Sequence, residues 1–327
     1  MKKLLATLLV LTLILSVSLT ASAQGVTIGI SQFAEHASLD NCREGFLQGL
    51  AEAGFREGDN LTVLFQNSQA DIGTATQIAQ SFISQNVDMI CAIATPSAQT
   101  AYNAVLTANA DIPVVFTAVS APIEAGLAND DGTPVGNVTG TSDLLPIAKQ
   151  LELIRALLPD ATKVGLLYSS SETNSEVQAG LYEAIAADYG FEIVVGTVTS
   201  GAEVSQAIDA LLPQVDCLSM LTDNTVVSYL AVVLAAAQNA GKPIFGSEIE
   251  QVALGCIAAE GLDYVALGKQ TGEMAARILN GEKAESISFE TIKDSALYLN
   301  TEVVADLGLT IPDALTARGY TDMAKAD

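Results

Sequence analysis

Asn86-Val87-Asp88-Met89-Ile90-Cys91-Ala92-Ile93-Ala94-Thr95-Pro96-Ser97 is the stretch that decides the fold. From Met89 to Ala94 every residue is apolar, without alternation, as a strand buried on both faces of a parallel sheet requires. The run then breaks into Thr95, Pro96 and Ser97. The same succession returns at Gln214-Val215-Asp216, followed by the apolar run Cys217-Leu218-Ser219-Met220-Leu221 and the polar break Thr222-Asp223-Asn224-Thr225. Ile112-Pro113-Val114 is echoed in the same order by Lys242-Pro243-Ile244. Two copies of one pattern, a domain's length apart, describe a tandem of two similar lobes rather than a solenoid.

Outward from these runs, strands are expected at 26–30, 61–66, 89–95, 114–119 and 137–141, and again at 164–168, 192–198, 217–221, 244–246 and 256–259. Amphipathic helices are expected over 39–53, 74–85, 176–189, 204–212 and 226–240. Strands alternating with helices give an α/β fold of two Rossmann-like, doubly wound parallel-sheet lobes. A further helix over 265–280 and a segment over 286–300 follow the second set. The chain is therefore expected to return to the first lobe and cross again, making a three-strand hinge. The expected division is 24–141 plus 262–288 for the N-terminal lobe and 142–261 plus 289–327 for the C-terminal lobe. A chain of 327 residues, half of them hydrophobic, suits two such domains.

Residues 1–23 read as an export signal: Lys2 and Lys3, then an apolar run over 4–19, then the small-residue site Ala21-Ser22-Ala23. Cleavage is expected near Gln24, with an uncleaved anchor as the alternative. A secreted or periplasmic protein follows. Its 38 acidic and 14 basic residues leave a net charge of −24, which repels phosphate backbones and anionic lipid and argues against nucleic-acid partners. Cys42 shares a helical stripe with Leu39, Phe46 and Leu50, and Cys91, Cys217 and Cys256 sit in apolar runs, so buried free thiols are expected. With one histidine and no Cys-x-x-Cys, no metal site is expected.

Ligands of open parallel sheets bind beyond the carboxyl ends of the strands. In the first lobe those positions are Ser31 and Gln32, Thr95 and Ser97, and Thr117. In the second they are Ser170, Glu172 and Asn174, then Asp223, Asn224 and Thr225, then Ser247 and Glu248, with Tyr168 either core or cleft. Each alone could be a helix cap. Ser97 and Asn224 could be both cap and contact, because free helix amides hold a carboxylate well. No enzyme and no cofactor are expected. Ser169 to Ser171 lacks a Gly-x-Ser-x-Gly elbow, lone His36 lies in the other half, and neither nucleotide-binding glycine motif is present.

Ile28-Gly29-Ile30-Ser31-Gln32, Ala94-Thr95-Pro96-Ser97-Ala98-Gln99, Val114-Val115-Phe116-Thr117-Ala118-Val119 and Asn137-Val138-Thr139-Gly140-Thr141-Ser142-Asp143 occur in order in the first half. Lys149-Gln150-Leu151-Glu152-Leu153-Ile154, Thr222-Asp223-Asn224-Thr225 and Phe245-Gly246-Ser247-Glu248 follow. Together they resemble the ABC-transporter substrate-binding family that includes tryptophan/tyrosine-type aromatic amino-acid binders. The resemblance implies a type I periplasmic-binding-protein fold and a small-molecule ligand, an amino acid, passed to an ABC permease and its ATPase by a monomeric receptor. It implies that the ligand carboxylate is held at Ser97 and Thr117, and the ammonium by Glu248 or Asp223. Asp143 enters the site through the same resemblance. Gram-positive relatives usually carry a lipobox cysteine where this chain has Ala23-Gln24-Gly25, so a soluble rather than lipid-anchored form is expected. A sensor module feeding a receptor is compatible with the same residues. The effector half of a transcription regulator would need a DNA-binding helix and a basic patch, and a secreted hydrolase would need a nucleophile-base pair.

Overall fold

The computed structural model describes residues 25–292 and 295–325. The expected export signal lies outside them. Within the described residues no helix is long and apolar enough to cross a membrane.

The first lobe opens with β1 (Val26–Gln32), α1 (Ala37–Glu52), β2 (Leu61–Asn67), α2 (Ile72–Ser84), β3 (Met89–Ile93), α3 (Thr95–Ala108), β4 (Val114–Thr117) and β5 (Val138–Ser142). The chain then leaves for the second lobe. There it forms α4 (Ile147–Leu157), β6 (Lys163–Ser169), α5 (Thr173–Ile185), β7 (Glu192–Val198), α6 (Val204–Leu211), β8 (Cys217–Ser219), α7 (Asn224–Val227), α8 (Leu230–Ala240), β9 (Ile244–Phe245), α9 (Ile249–Leu254) and β10 (Ala258–Leu262). It returns as α10 (Tyr264–Leu279) and β11 (Glu290–Thr291), and crosses once more into β12 (Ser295–Leu299), α11 (Thr301–Asp306), α12 (Asp313–Arg318) and β13 (Thr321–Asp322).

The first sheet has the order β11-β5-β4-β3-β1-β2 and is parallel throughout. The second runs β13-β12-β10-β9-β8-β6-β7, parallel except that β12 lies antiparallel to β10. β3 and β4, central and covered on both sides, are buried at every residue, which is why their sequences do not alternate. Edge strands β2 and β7 have exposed positions. The first sheet keeps the chain through Thr291, because Glu290 and Thr291 pair with Thr141 and Ser142.

Two helices fasten the returning segment to the first lobe. α1 and α10 pack with Gly45 and Gly49 against Gly268 and Gly272. A Cβ on Gly45 would strike the carbonyl of Val265, and one on Gly268 the carbonyl of Cys42. The two backbones are therefore in direct contact, a spacing that only glycine permits here. All four cysteines are buried and unbridged.

Candidate functional site

The carboxyl ends of the two sheets face each other, and the polar residues there are buried. Ser31, Thr95, Ser97 and Ser120 on one side, and Glu172, Asn174, Thr222 and Glu248 on the other, are all nearly inaccessible to solvent. Direct hydrogen bonds join the lobes. Ser120 Oγ and Thr222 Oγ1 are 2.9 Å apart, Ser38 Oγ donates to Glu248 Oε2 at 2.5 Å, and Asn41 Nδ2 donates to Glu250 at 2.6 Å. His36 Nε2 and Asn224 Oδ1 approach to 3.5 Å. The cleft is closed.

On the first-lobe wall, α3 begins directly after β3. Its N-cap, Ala94, sits at φ 79°, ψ 154°, a region costly for any residue with a Cβ, and no side chain caps the helix. The first turn thus presents amide groups to the cleft, beside Thr95 Oγ1, which is buried with no partner. Ser97 Oγ stands 3.1 Å from Ser31 Oγ in the same wall. Thr95 was expected to end a strand; Pro96 at the start of the helix makes it the first helical residue instead.

The second-lobe wall is organised by Glu172. One carboxylate oxygen accepts from Thr225 N and Oγ1 at 2.9 and 2.8 Å, and the other from Asn224 N and Nδ2 at 3.0 and 2.6 Å. Asp223 is equally well supplied, accepting from Ser169 N, Ser175 Oγ and Val226 N. Burial, with Glu172 beside it, pushes the Asp223 carboxyl up from its ordinary range. Asn174 Nδ2 donates to Thr222 O at 2.9 Å, while its Oδ1 is buried without a partner.

Near the crossings, Asp143 accepts from Ser120 Oγ at 2.9 Å and from Tyr264 OH at 2.6 Å. Burial raises the pKa of Asp143 and pushes Glu248 up to about 8. Among the described residues none of Asp143, Glu172, Asp223 and Glu248 is paired with lysine or arginine. Four buried carboxyls with no protein cation make a wall suited to a positively charged group.

The structure therefore brings together Ser31, Thr95, Ser97, Asp143, Asn174, Asn224, Thr225 and Glu248. Four expected residues are engaged elsewhere. The Thr117 hydroxyl lies in a chain inside the first lobe, 3.0 Å from Cys42 Sγ, 3.1 Å from Thr141 Oγ1 and 2.9 Å from Thr271 Oγ1. Gln32 ties β1 to α1 through Ala34 O, Asp40 and Arg43. Tyr168 is partly buried against the core, near Glu176 and Glu183. Ser170 is exposed beside β7, bonded to Val198 O. Asp223, offered as an ammonium partner, already accepts three hydrogen bonds from its own lobe, with donors on both oxygens. Ser120, Ser38 and His36 join the site without having been singled out for it. A hydroxyl just past the Thr117 strand end was the available signal for Ser120, since Ala118 adopts φ 54° and turns the chain there.

A family model described as ABC transporter substrate binding protein matches residues 27–321. A tyrosine-binding protein of Clostridioides difficile (strain R20291) is 40% identical over 290 residues, 89% of this chain and 83% of that protein. The crystal structure of an ABC domain from Streptococcus pneumonia in complex with L-Trp superposes with a TM-score of 0.87 at 33% identity, covering 91% of this chain and 99% of the other. The ligand-free, open structure of a substrate binding protein with adhesive properties from Clostridium difficile reaches only 0.67 at 39% identity, over the same 91% and 99%. The ligand-bound structure is the better match although its sequence is the less similar, in keeping with the closed cleft described above.

Proposed function

Because the chain belongs to the ABC transporter substrate binding protein family and has the two-lobed type I periplasmic-binding fold, we propose that it captures an aromatic amino acid between its lobes, outside the cytoplasm, and hands it unchanged to a membrane permease and its ATPase. The observation that carries this reading is the closed, cation-free polar cleft, in which unpartnered groups from both lobes are buried. An amino-acid carboxylate fits the open first turn of α3 with Thr95 and Ser97. Its ammonium fits Glu248, with Asp143 nearby, because Glu172 and Asp223 already take donors of their own lobe on both oxygens. Dividing one zwitterion between two lobes makes closure depend on the ligand. The aromatic class is suggested by what the tyrosine-binding and L-Trp-bound relatives are named for. In this reading residues 1–23 are removed on export, and the receptor works as a soluble monomer.

A thermal-shift screen of the purified protein against amino acids, sugars and purines tests it. A ligand at about 100 times its dissociation constant adds roughly 2.7 kcal/mol of apparent stability. Tyrosine or tryptophan is expected to stabilise; stabilisation by sugars or purines alone would overturn the reading.

A further inference from the structure

Among the described residues three buried side-chain atoms lack any hydrogen-bond partner: His36 Nδ1, Thr95 Oγ1 and Asn174 Oδ1. All three lie at the seam between the lobes. Unpaired buried polar atoms are costly, so a seam that collects them is shaped for something that pairs them.

Two of the three have a chemical sense that the surrounding bonds determine. Asn174 gives its amide nitrogen to Thr222 O at 2.9 Å, so the bare atom is the carbonyl, an acceptor. Asn224 gives its amide nitrogen to Glu172 at 2.6 Å, so Asn224 Oδ1 is the atom that faces His36 Nε2. Nε2 must then carry the proton, which leaves Nδ1 as an acceptor on a neutral ring. Burial keeps the ring neutral, pushing its pKa down to about 4 against the smaller opposing effects of Asn224 and Asp40. The cleft thus offers two neutral acceptors, one on each lobe, in one network around Glu172. Thr95 can donate, and it stands at the carboxylate end.

We infer that the cleft selects aromatic amino acids whose ring bears a hydrogen-bond donor, a phenol O–H or an indole N–H, and that His36 and Asn174 are the residues that reject phenylalanine. This rests on the amino-acid reading above. The ligand ammonium has an anionic partner in Glu248, and neutral acceptors match a neutral donor better than a second charge. A phenol O–H or indole N–H pairs one of these acceptors, where phenylalanine leaves both bare. Sites that hydrogen-bond a substrate hydroxyl discriminate strongly against the analogue lacking it, because the site's own buried groups are then stranded.

Calorimetric titration of the purified protein with L-tyrosine, L-tryptophan and L-phenylalanine tests the inference. The better of the first two is expected to bind at least about tenfold more tightly than phenylalanine. Whichever of Asn174→Leu and His36→Phe removes the paired acceptor should narrow that ratio, by weakening the donor-bearing ligand while phenylalanine binding holds or improves. A wild-type ratio under about threefold, less than one stranded acceptor costs, overturns the inference and leaves the amino-acid reading standing. A clear wild-type ratio unmoved in both variants overturns the assignment to these residues. Binding of none of the three overturns the reading and the inference together.

Discussion

Ser38 on the first lobe and Glu248 on the second are joined through a single carboxylate oxygen: Ser38 Oγ and Gln251 Nε2 both donate to Oε2, at 2.5 and 3.0 Å. Among the described residues no donor reaches Oε1. Glu248 therefore combines a role in holding the lobes together with a donor-free oxygen for a cationic guest, which neither Glu172 nor Asp223 has.

Glu248→Gln should accordingly weaken ligand binding far more than folding. The amide keeps the shape but not the charge, and leaves a desolvated ammonium without its counter-ion, a loss on the order of 2–5 kcal/mol. Calorimetry on the variant checks this. Affinity near that of the wild type would move the counter-ion to Asp143.

The same residue makes the stability of the closed form fall as pH rises. Burial lifts Glu248 to about 8 from an ordinary value of 4.5, with Glu250 and Asp143 adding to the shift and Ser38 and Gln251 opposing it. The folded state keeps a proton that the unfolded chain has already released. The resulting stabilisation is fully present below 4.5 and lost as pH rises through about 8. Asp223 is raised in the same sense. His36, lowered from 6.5 to about 4, contributes oppositely, its stabilisation being lost as pH falls through about 4. Denaturant midpoints should drop between about pH 6 and pH 9, and Glu248→Gln should flatten the slope. An equal slope in wild type and variant would contradict the assignment.

Gly268→Ala should destabilise the protein by about 1–3 kcal/mol or more, since the new methyl meets backbone of α1 rather than a side chain that can move. Gly180→Ala, on the open face of α5 with nothing near its added carbon, should stabilise by about 0.5–1 kcal/mol. Urea denaturation of the two variants gives the opposite signs if the helix contact is as tight as described.

Ligand binding should close the lobes by rotation, with strain confined to the crossings after β5, β10 and β11. Small-angle scattering should show a smaller radius of gyration with saturating ligand than without. An unchanged radius would indicate a pocket formed before the ligand arrives.

Much of the architecture was legible because parallel strands covered on both faces are dominated by apolar residues. Met89 to Ala94 and Cys217 to Leu221 could hardly be anything else, and their polar ends located both walls of the cleft. The helix over Thr95–Ala108 was less visible, because it begins inside the polar break with no connecting loop. The strand at Glu290–Thr291 is too short to announce itself and exists through its pairing with β5. Within the site, residue type did not distinguish a free carboxylate from a filled one. Asp223 and Glu248 look alike on paper; Ser169 and Ser175 satisfy the first from another part of the chain, while the second gets donors on one oxygen only. Thr117 likewise lost its expected role to Cys42, Thr141 and Thr271, three partners that only the folded lobe assembles.

The glycine seam between α1 and α10 also dictates an order of events. A ribosome releases α1 early, and α10 only after the second lobe's elements from α4 to β10 have emerged. Until then the face of α1 bearing Gly45 and Gly49 has no mate, and the second lobe in turn waits for β12 and β13 at the very end of the chain. Neither lobe can therefore be finished until nearly the whole chain is made, unlike the amino-end-first sequence usual for multidomain chains.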